Sequence, residues 1–445
     1  MFQSKFSLSF LALTLFACAA TAAVPESEAQ RLKSELTPFG AERQGNAEGT
    51  IPGWEGGYTR TDTGYQPGQA RKDPFAGERP LFSIDGSNYQ QYEQHLSAGQ
   101  KHMLESFPDF RMDVYPTQRT AAAPQWVYEN TYRNALNARM EHGAVVGAYG
   151  GIPFPIPQDG TEAIWNHLLA FRGTQLAEYW RAYLVASDGV PTLAAGSLHR
   201  HSYPYYTEGG NVEAFDGKYY EMVVENKEPP FKAGEKVLAQ EFVDGKRNVW
   251  QYLPGQRRTR RAPNVAYDTP DFISSGVTNF DEVNLFTGAL DRYQWTLVGK
   301  QELYVPYNNN GLQLRKVDEL LGKKFVNPDA TRWELHRVWV VEASLAPGKR
   351  HAMPKRRFYL DEDTWMALVS DGWDANGKLW KAGFQFPFVA PEVPVVQTRP
   401  LVMYDFSASA YLSHFIGNER SPQVDNTARF EGSEFSPGSL GRGGR

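Results

Sequence analysis

Four arginines crowd into five positions, Arg257, Arg258, Arg260 and Arg261. They follow a strand-like run that carries Trp250 and Tyr252, broken by a Pro254-Gly255 turn signal. Side chains alternate faces along a strand, so Arg258 and Arg260 share one face and Arg257 and Arg261 the other. If one face of the sheet is covered, one pair points inward, and a buried guanidinium needs an acceptor or an anionic ligand. The chemistry this suggests is a bidentate grip on an anionic head group at the rim of an apolar pocket, with Trp250 and Tyr252 holding the attached chain. The plainer alternative is a solvated strand edge, because charge runs are usually exposed.

A second candidate lies in 332–343, where Trp333, Leu335, Arg337, Trp339 and Val341 fall on one strand face. Arg337 is then a further inward arginine, or else it is ion-paired to Glu334, Glu342 or an acid of another strand. Phe384, Phe386 and Phe388 also share a face. These apolar rows read either as a sandwich core or as the lining of a greasy cavity.

Catalytic signals are weaker. His199 and His201 can sit on one strand face with Glu208 further on, but a metal site needs another ligand and supporting partners. No metal and no cofactor are expected. His167, His336 and His414 are isolated. There is no G-x-S-x-G elbow and no phosphate-cradling glycine loop. The acid groups Asp281-Glu282 and Asp361-Glu362-Asp363 read as turn or strand-end sequence, and a glycosidase would need two carboxylates facing across a cleft.

The elements that must position these residues begin with a secretory leader. Lys5 is the one charged residue before Glu26, Phe6 to Ala17 is too short an apolar run to span a bilayer, and Ala23 ends a small-residue stretch suited to cleavage. Residues 1–23 are therefore expected to be a signal peptide and the mature chain a soluble periplasmic protein. The alternative is an outer-membrane lipoprotein acylated at Cys18, the sole cysteine. Without Cys18 the mature chain has no thiol nucleophile and no disulfide framework. Its 45 Lys and Arg against 51 Asp and Glu leave a net charge near −6, which argues against a nucleic-acid partner.

Residues 25–36 read as a short helix and 24–86 overall as an extended N-terminal arm pinned by Trp54, Tyr58 and Tyr65. A helix is expected over 87–107, capped by Ser87, and another over 160–172, capped by Asp159 or Thr161. Residues 128–141 fit strand or helix. From residue 174 strands dominate, at 175–186, 191–203, 219–226, 236–243, 247–253, 257–262, 291–298, 301–305, 332–344, 355–360, 364–371, 378–386 and 401–406. Turn signals such as Asp216-Gly217, Asp244-Gly245 and Asn376-Gly377 separate several of them. Short connections imply an antiparallel meander. The fold class is α+β, mostly β: a curved antiparallel sheet or incomplete β-barrel with helices on its concave face. One domain is expected over 87–430, and 431–445 as a flexible tail.

The run W-Q-Y-L-P-G-Q-R-R-T-R-R-A-P resembles the strand pair of periplasmic proteins of the outer-membrane lipoprotein-sorting type, related in fold to the carriers LolA and LolB. The chain is most similar to domain-of-unknown-function family thirteen-twenty-nine. Further blocks carry that resemblance: G-A-E-R-Q-G-N-A-E-G-T-I-P-G-W (40–54), G-G-I-P-F-P-I-P-Q-D-G-T-E-A-I-W-N-H-L (150–168), L-F-T-G-A-L-D-R-Y-Q-W-T-L-V-G-K (285–300) and R-W-E-L-H-R-V-W-V-V-E-A (332–343). The resemblance implies a sheet whose concave face encloses a hydrophobic cavity. It also implies a carrier or chaperone for a lipid, a sterol-like compound or an acylated protein. An efflux-type inner-membrane transporter and an outer-membrane protein are implied as partners. A periplasmic hydrolase of lipid or glycan and a non-enzymatic envelope scaffold are the competing expectations.

Overall fold

A computed structural model describes residues 24–61, 64–262, 267–271 and 277–442. The expected signal peptide and Cys18 lie outside the described residues. In chain order the strands begin with β1 (Phe82–Asp85), β2 (Arg111–Val114), β3 (Arg139–Glu141) and β4 (Ala144–Val146). Then come β5 (Gln175–Val185), β6 (Pro191–Ser202), β7 (Lys218–Glu228), β8 (Lys236–Phe242), β9 (Arg247–Leu253) and β10 (Arg258–Arg261). They end with β11 (Tyr293–Pro306), β12 (Trp333–Leu345), β13 (Lys355–Asp361), β14 (Ala367–Trp373), β15 (Leu379–Ala390), β16 (Val395–Asp405) and β17 (Ala410–Ile416). Helices are α1 (Glu26–Ala29), α2 (Ala98–Ser106), α3 (Gln125–Asn137), α4 (Gly160–Leu168) and α5 (Val317–Leu320).

Among the described residues fifteen strands form one open sheet in the order β1-β2-β12-β13-β14-β15-β16-β17-β5-β6-β7-β8-β9-β10, with β11 paired to β12. Neighbours are antiparallel except for a single parallel bridge, Trp333 to Val114. The sheet does not close into a barrel. Its curvature is visible in α4, which packs on β11 and β12 while Trp165 meets Tyr219 of β7 edge-on at 6.2 Å. Eight strand spacings separate β12 from β7, about 38 Å in a flat sheet at ~4.8 Å per strand. One helix can touch both only if the sheet bends around it. Gly160 allows the approach, because a Cβ there would lie 2.6 Å from the Trp295 backbone.

Several expectations shift. The helix capped by Ser87 does not form. Tyr89–His95 is a 3-10 segment, and α2 starts after Ser97, whose hydroxyl and the Gln100 side chain form a capping box. Asp371 adds a carboxylate at that N-terminus, accepting from the Ala98 and Gly99 amides at 3.0 and 2.9 Å. The ambiguous stretch 128–141 is split: α3 takes it as far as Asn137 and β3 forms over Arg139–Glu141. The strands expected at 291–298 and 301–305 are one strand, β11, bulged between Leu297 and Gly299; Gly299, with φ +133°, supplies the irregularity without a turn. β17 was not expected. Residues 430–442 place Phe435 and Leu440 in a small cluster with Val223 and Leu238.

Candidate functional site

One cavity of about 150 Å³ opens on a single face of β5–β9. Cross-strand register builds its wall, because directly paired residues share a face. One row runs Glu178–His199–Val224–Val237–Gln251, and the next Leu176–His201–Met222–Ala239–Val249. Trp180, Tyr220, Met222, Val224, Ala239 and Val249 give it a largely apolar lining. The opposite wall is the segment around Phe280, Val283, Asn284 and Thr287.

That covering segment is bolted to the other half of the sheet. Asp281 is 3.0 Å from Arg356 and 2.9 Å from His351. Glu282 is 2.8 Å from Lys381. All five are buried. Buried charges persist only when paired like this. The Asp281-Glu282 pair is thus an anchor and does not face a second carboxylate across a cleft. Asp361-Glu362-Asp363 is likewise internal: Arg119 binds Asp363 at 2.6 Å, and Arg337 binds Glu362 at 2.6 Å.

Polar groups gather at one end of the cavity. Arg399 forks onto Glu178, with Nη2–Oε1 at 3.0 Å and Nε–Oε2 at 3.1 Å. His201 Nε2 lies 3.0 Å from Glu178 Oε1, at contact distance but off the hydrogen-bond axis. His201 Nδ1 is 2.8 Å from the Tyr220 hydroxyl. Burial alone would raise the Glu178 pKa, but the Arg399 guanidinium outweighs it and holds the carboxyl below the usual carboxylate range. Burial lowers His199 and His201 and pushes His414 down to about 3. At neutral pH these imidazoles are uncharged.

Glu178, His199 and His201 bring three potential ligand atoms within 4.8 Å of one another. The acid that joins the histidines is Glu178; Glu208 is exposed. A divalent cation there would sit against the Arg399 guanidinium, with both Glu178 oxygens already engaged. Arg172 adds a buried guanidinium with no carboxylate partner among the described residues; burial lowers its pKa, and the Arg399 charge lowers it further. Charge balance opposes a metal at this position. A second grouping, His336, Asp361 and Asp363, is likewise committed. His336 is 3.0 Å from Glu334 and stacks on Tyr307, and Asp361 accepts from Tyr307 and Thr364.

None of the arginines, aromatics and apolar residues expected from sequence to hold a guest (Trp250, Tyr252, Arg257, Arg258, Arg260, Arg261, Trp333, Leu335, Arg337, Trp339, Phe384 and Phe386) lines this cavity. Trp250 and Tyr252 occupy the opposite face of β9 and pack on the Phe435–Leu440 cluster. Arg258 and Arg260 are in register with Leu253 and Gln251, on the cavity side, yet both are exposed past its wall. Arg257 and Arg261 are exposed too; Arg257 sits in a left-handed turn, φ +48°, and Arg261 bonds Asn248 at 2.6 Å. The strand lies at the sheet edge and all four arginines are exposed among the described residues, so no arginine is forced inward. Trp333 meets Phe384 and Phe386 edge-on at 5.5 and 6.3 Å inside the closed core, with Leu335 buried nearby in sequence. Trp339 stacks on Trp365 at 5.8 Å. Arg337 is buried, as an ion pair with Glu362, an acid of another segment, and it also donates to the Glu42 and Gln44 carbonyls. The sequence points to His199 and His201, but the residues gathered around them, Glu178 on the paired strand β5, Arg399 on β16 and His414 on β17, carry no local signal.

Among the described residues no helix is long and apolar enough to cross a membrane. Residues 83–441 match the model of a family described as protein of unknown function (DUF1329). An uncharacterized protein of Pseudomonas aeruginosa is 35% identical over 97% of this chain and 96% of its own. Among solved structures, a putative outer membrane lipoprotein-sorting protein domain from Vibrio parahaemolyticus is 13% identical, covering 60% of this chain and 92% of that one, with a TM-score of 0.41. A DUF1329 family protein from Desulfovibrio piger is 12% identical over 62% and 95%, TM-score 0.41. A LolA superfamily protein from Nitrosomonas europaea is 10% identical over 63% and 98%, TM-score 0.36. With the family match spanning most of the length and a relative aligned almost end to end, the chain belongs to the DUF1329 family.

Proposed function

We propose that the protein is a carrier or chaperone of the cell envelope, working in the periplasm after signal cleavage, that shelters a hydrophobic small molecule or the apolar end of an amphiphile. The observation that carries this reading is the apolar cavity on β5–β9, roofed by a segment that buried ion pairs hold in place. Action is physical and involves no bond-breaking step. An engineered cavity of about 150 Å³ accepts a benzene-sized guest, so the described space suits one ring or a short stretch of chain. A guest hiding about 150 Å² of apolar surface gains about 4 kcal/mol at ~25 cal/mol per Å², which by itself corresponds to about millimolar affinity. Tighter retention requires polar contacts or further enclosure by the roof.

Native mass spectrometry of gently purified protein, followed by solvent extraction, tests the reading. A co-purifying amphiphile supports it. Bare protein in every preparation, together with no uptake of added apolar probes, would contradict it.

A further inference from the structure

The polar end of the cavity holds more hydrogen-bonding capacity than the protein uses. His199 is 3% exposed, and neither of its ring nitrogens has a partner among the described residues. His414 Nε2 and Trp180 Nε1 are also buried and unpartnered. The three are one cluster: the Trp180 ring centroid lies 4.7 Å from that of His199 and 4.4 Å from that of His414, and all three line the cavity. Native interiors leave few polar groups unpaired, because each costs its full desolvation.

Backbone geometry points to the same spot. The β17–β5 register breaks between Ser413 and Ile416, and within that break Phe415 adopts φ +63°. A bulky residue rarely occupies the left-handed region, and bulges re-aim side chains. Here the bulge carries His414 and Phe415, both of which line the cavity. Strain held at a cavity wall is a signature of functional constraint.

Charge selects the ligand class. Arg399 is engaged by Glu178, and Arg172 donates to the His167 and Ala170 carbonyls without lining the cavity, so neither is placed to grip a carboxylate or phosphate, while their combined charge, in excess of Glu178, disfavours a cation. A neutral imidazole offers one donor and one acceptor, and an indole offers one donor. Such a pole fits a hydroxyl or carbonyl oxygen.

We propose that His199, His414 and Trp180 hydrogen-bond the hydroxyl or carbonyl group of an otherwise apolar guest, so that the ligand class is a neutral oxygenated hydrophobe and not an anion. This rests on the carrier reading above. Toluene, phenol and benzoate are matched in ring size and differ in the polar group, and calorimetric titration of the full chain with each tests the inference. Phenol should bind at least tenfold more tightly than toluene or benzoate. His199→Phe and His414→Phe should each cut the phenol preference by roughly tenfold, the worth of one buried hydrogen bond, with the melting temperature held or raised. Benzoate binding tightest, or a phenol-to-toluene ratio unchanged in both variants, overturns the inference. Toluene binding with phenol excluded overturns the polar pole and leaves the carrier reading standing. Binding of none of the three overturns both.

Discussion

Every residue of β16 is buried, whereas β9 and β10 together bury only Val249. The two regions belong to one sheet but solve different problems. β12–β17 are covered on both faces, so their polar groups must be satisfied internally: Arg356 by Asp281, Lys381 by Glu282, Arg399 by Glu178. β5–β9 have one face over a cavity, and the opposite face is covered in part by Phe435 and Leu440. There the burial pattern of β5 alternates residue by residue over most of its length. The closed half is a scaffold. The open half has room left for a guest, and the scaffold contributes its roof.

Removing a scaffold aromatic should give the largest effect. Trp333→Ala is expected to cost about 3–5 kcal/mol in denaturant unfolding, against about 1–2 kcal/mol for half-buried Trp250→Ala. Equal losses would break the comparison. Next, Asp281→Asn unpairs buried Arg356 and His351 and should cost about 3 kcal/mol. It should also speed guest exchange, measured by stopped-flow displacement, because it frees the roof; slower or unchanged exchange would uncouple roof from scaffold.

Titration sharpens the contrast with opposite signs. His199 and His414 have folded pKa values below the unfolded 6.5, His414 at about 3. The unfolded chain takes their protons first, so their contribution is present above pH ~6.5 and is lost as pH falls. Asp371, in the scaffold, is pushed by burial from 3.8 up to about 6. Its contribution is present below pH ~3.8 and is lost as pH rises through 6. Melting curves from pH 7 to pH 4 should therefore fall less steeply in His199→Phe and more steeply in Asp371→Asn. The smallest effect belongs to the exposed edge: Arg258→Ala with Arg260→Ala should change stability by no more than about 0.5 kcal/mol.

Much of the fold was legible because its signals are local. Turn pairs such as Asp216-Gly217 and alternating strands located β5–β10 and β12–β15 to within a few residues. Sequence does not separate the two candidate caps of α2, since Ser87 and Ser97 are each followed three residues on by a glutamine, Gln90 and Gln100, and only Ser97 forms the box. β17 went unseen between Asp405 and Pro422 because nothing in A-Y-L-S-H-F-I separates a strand from a buried loop. The cavity was legible only in part. H-x-H was visible, but its acid, Glu178, is supplied by the register of β5 on β6, and His414 and Arg399 by strands on the far side of β5. The arginine run suggested an inward pair because alternation says which side chains share a face and is silent on whether that face is covered.

The central claim is that the open half holds a guest where the structure shows space. Ala239 is 1% exposed and lines that space from the middle of β8, and Val237 lines it two residues away. Native mass spectrometry of wild type, Ala239→Phe and Val237→Phe, purified side by side, compares their guest occupancy directly. The account predicts that both larger side chains expel the guest while the melting temperature stays within a few degrees of wild type. An unchanged guest-bound mass in both variants would place the guest elsewhere and contradict it.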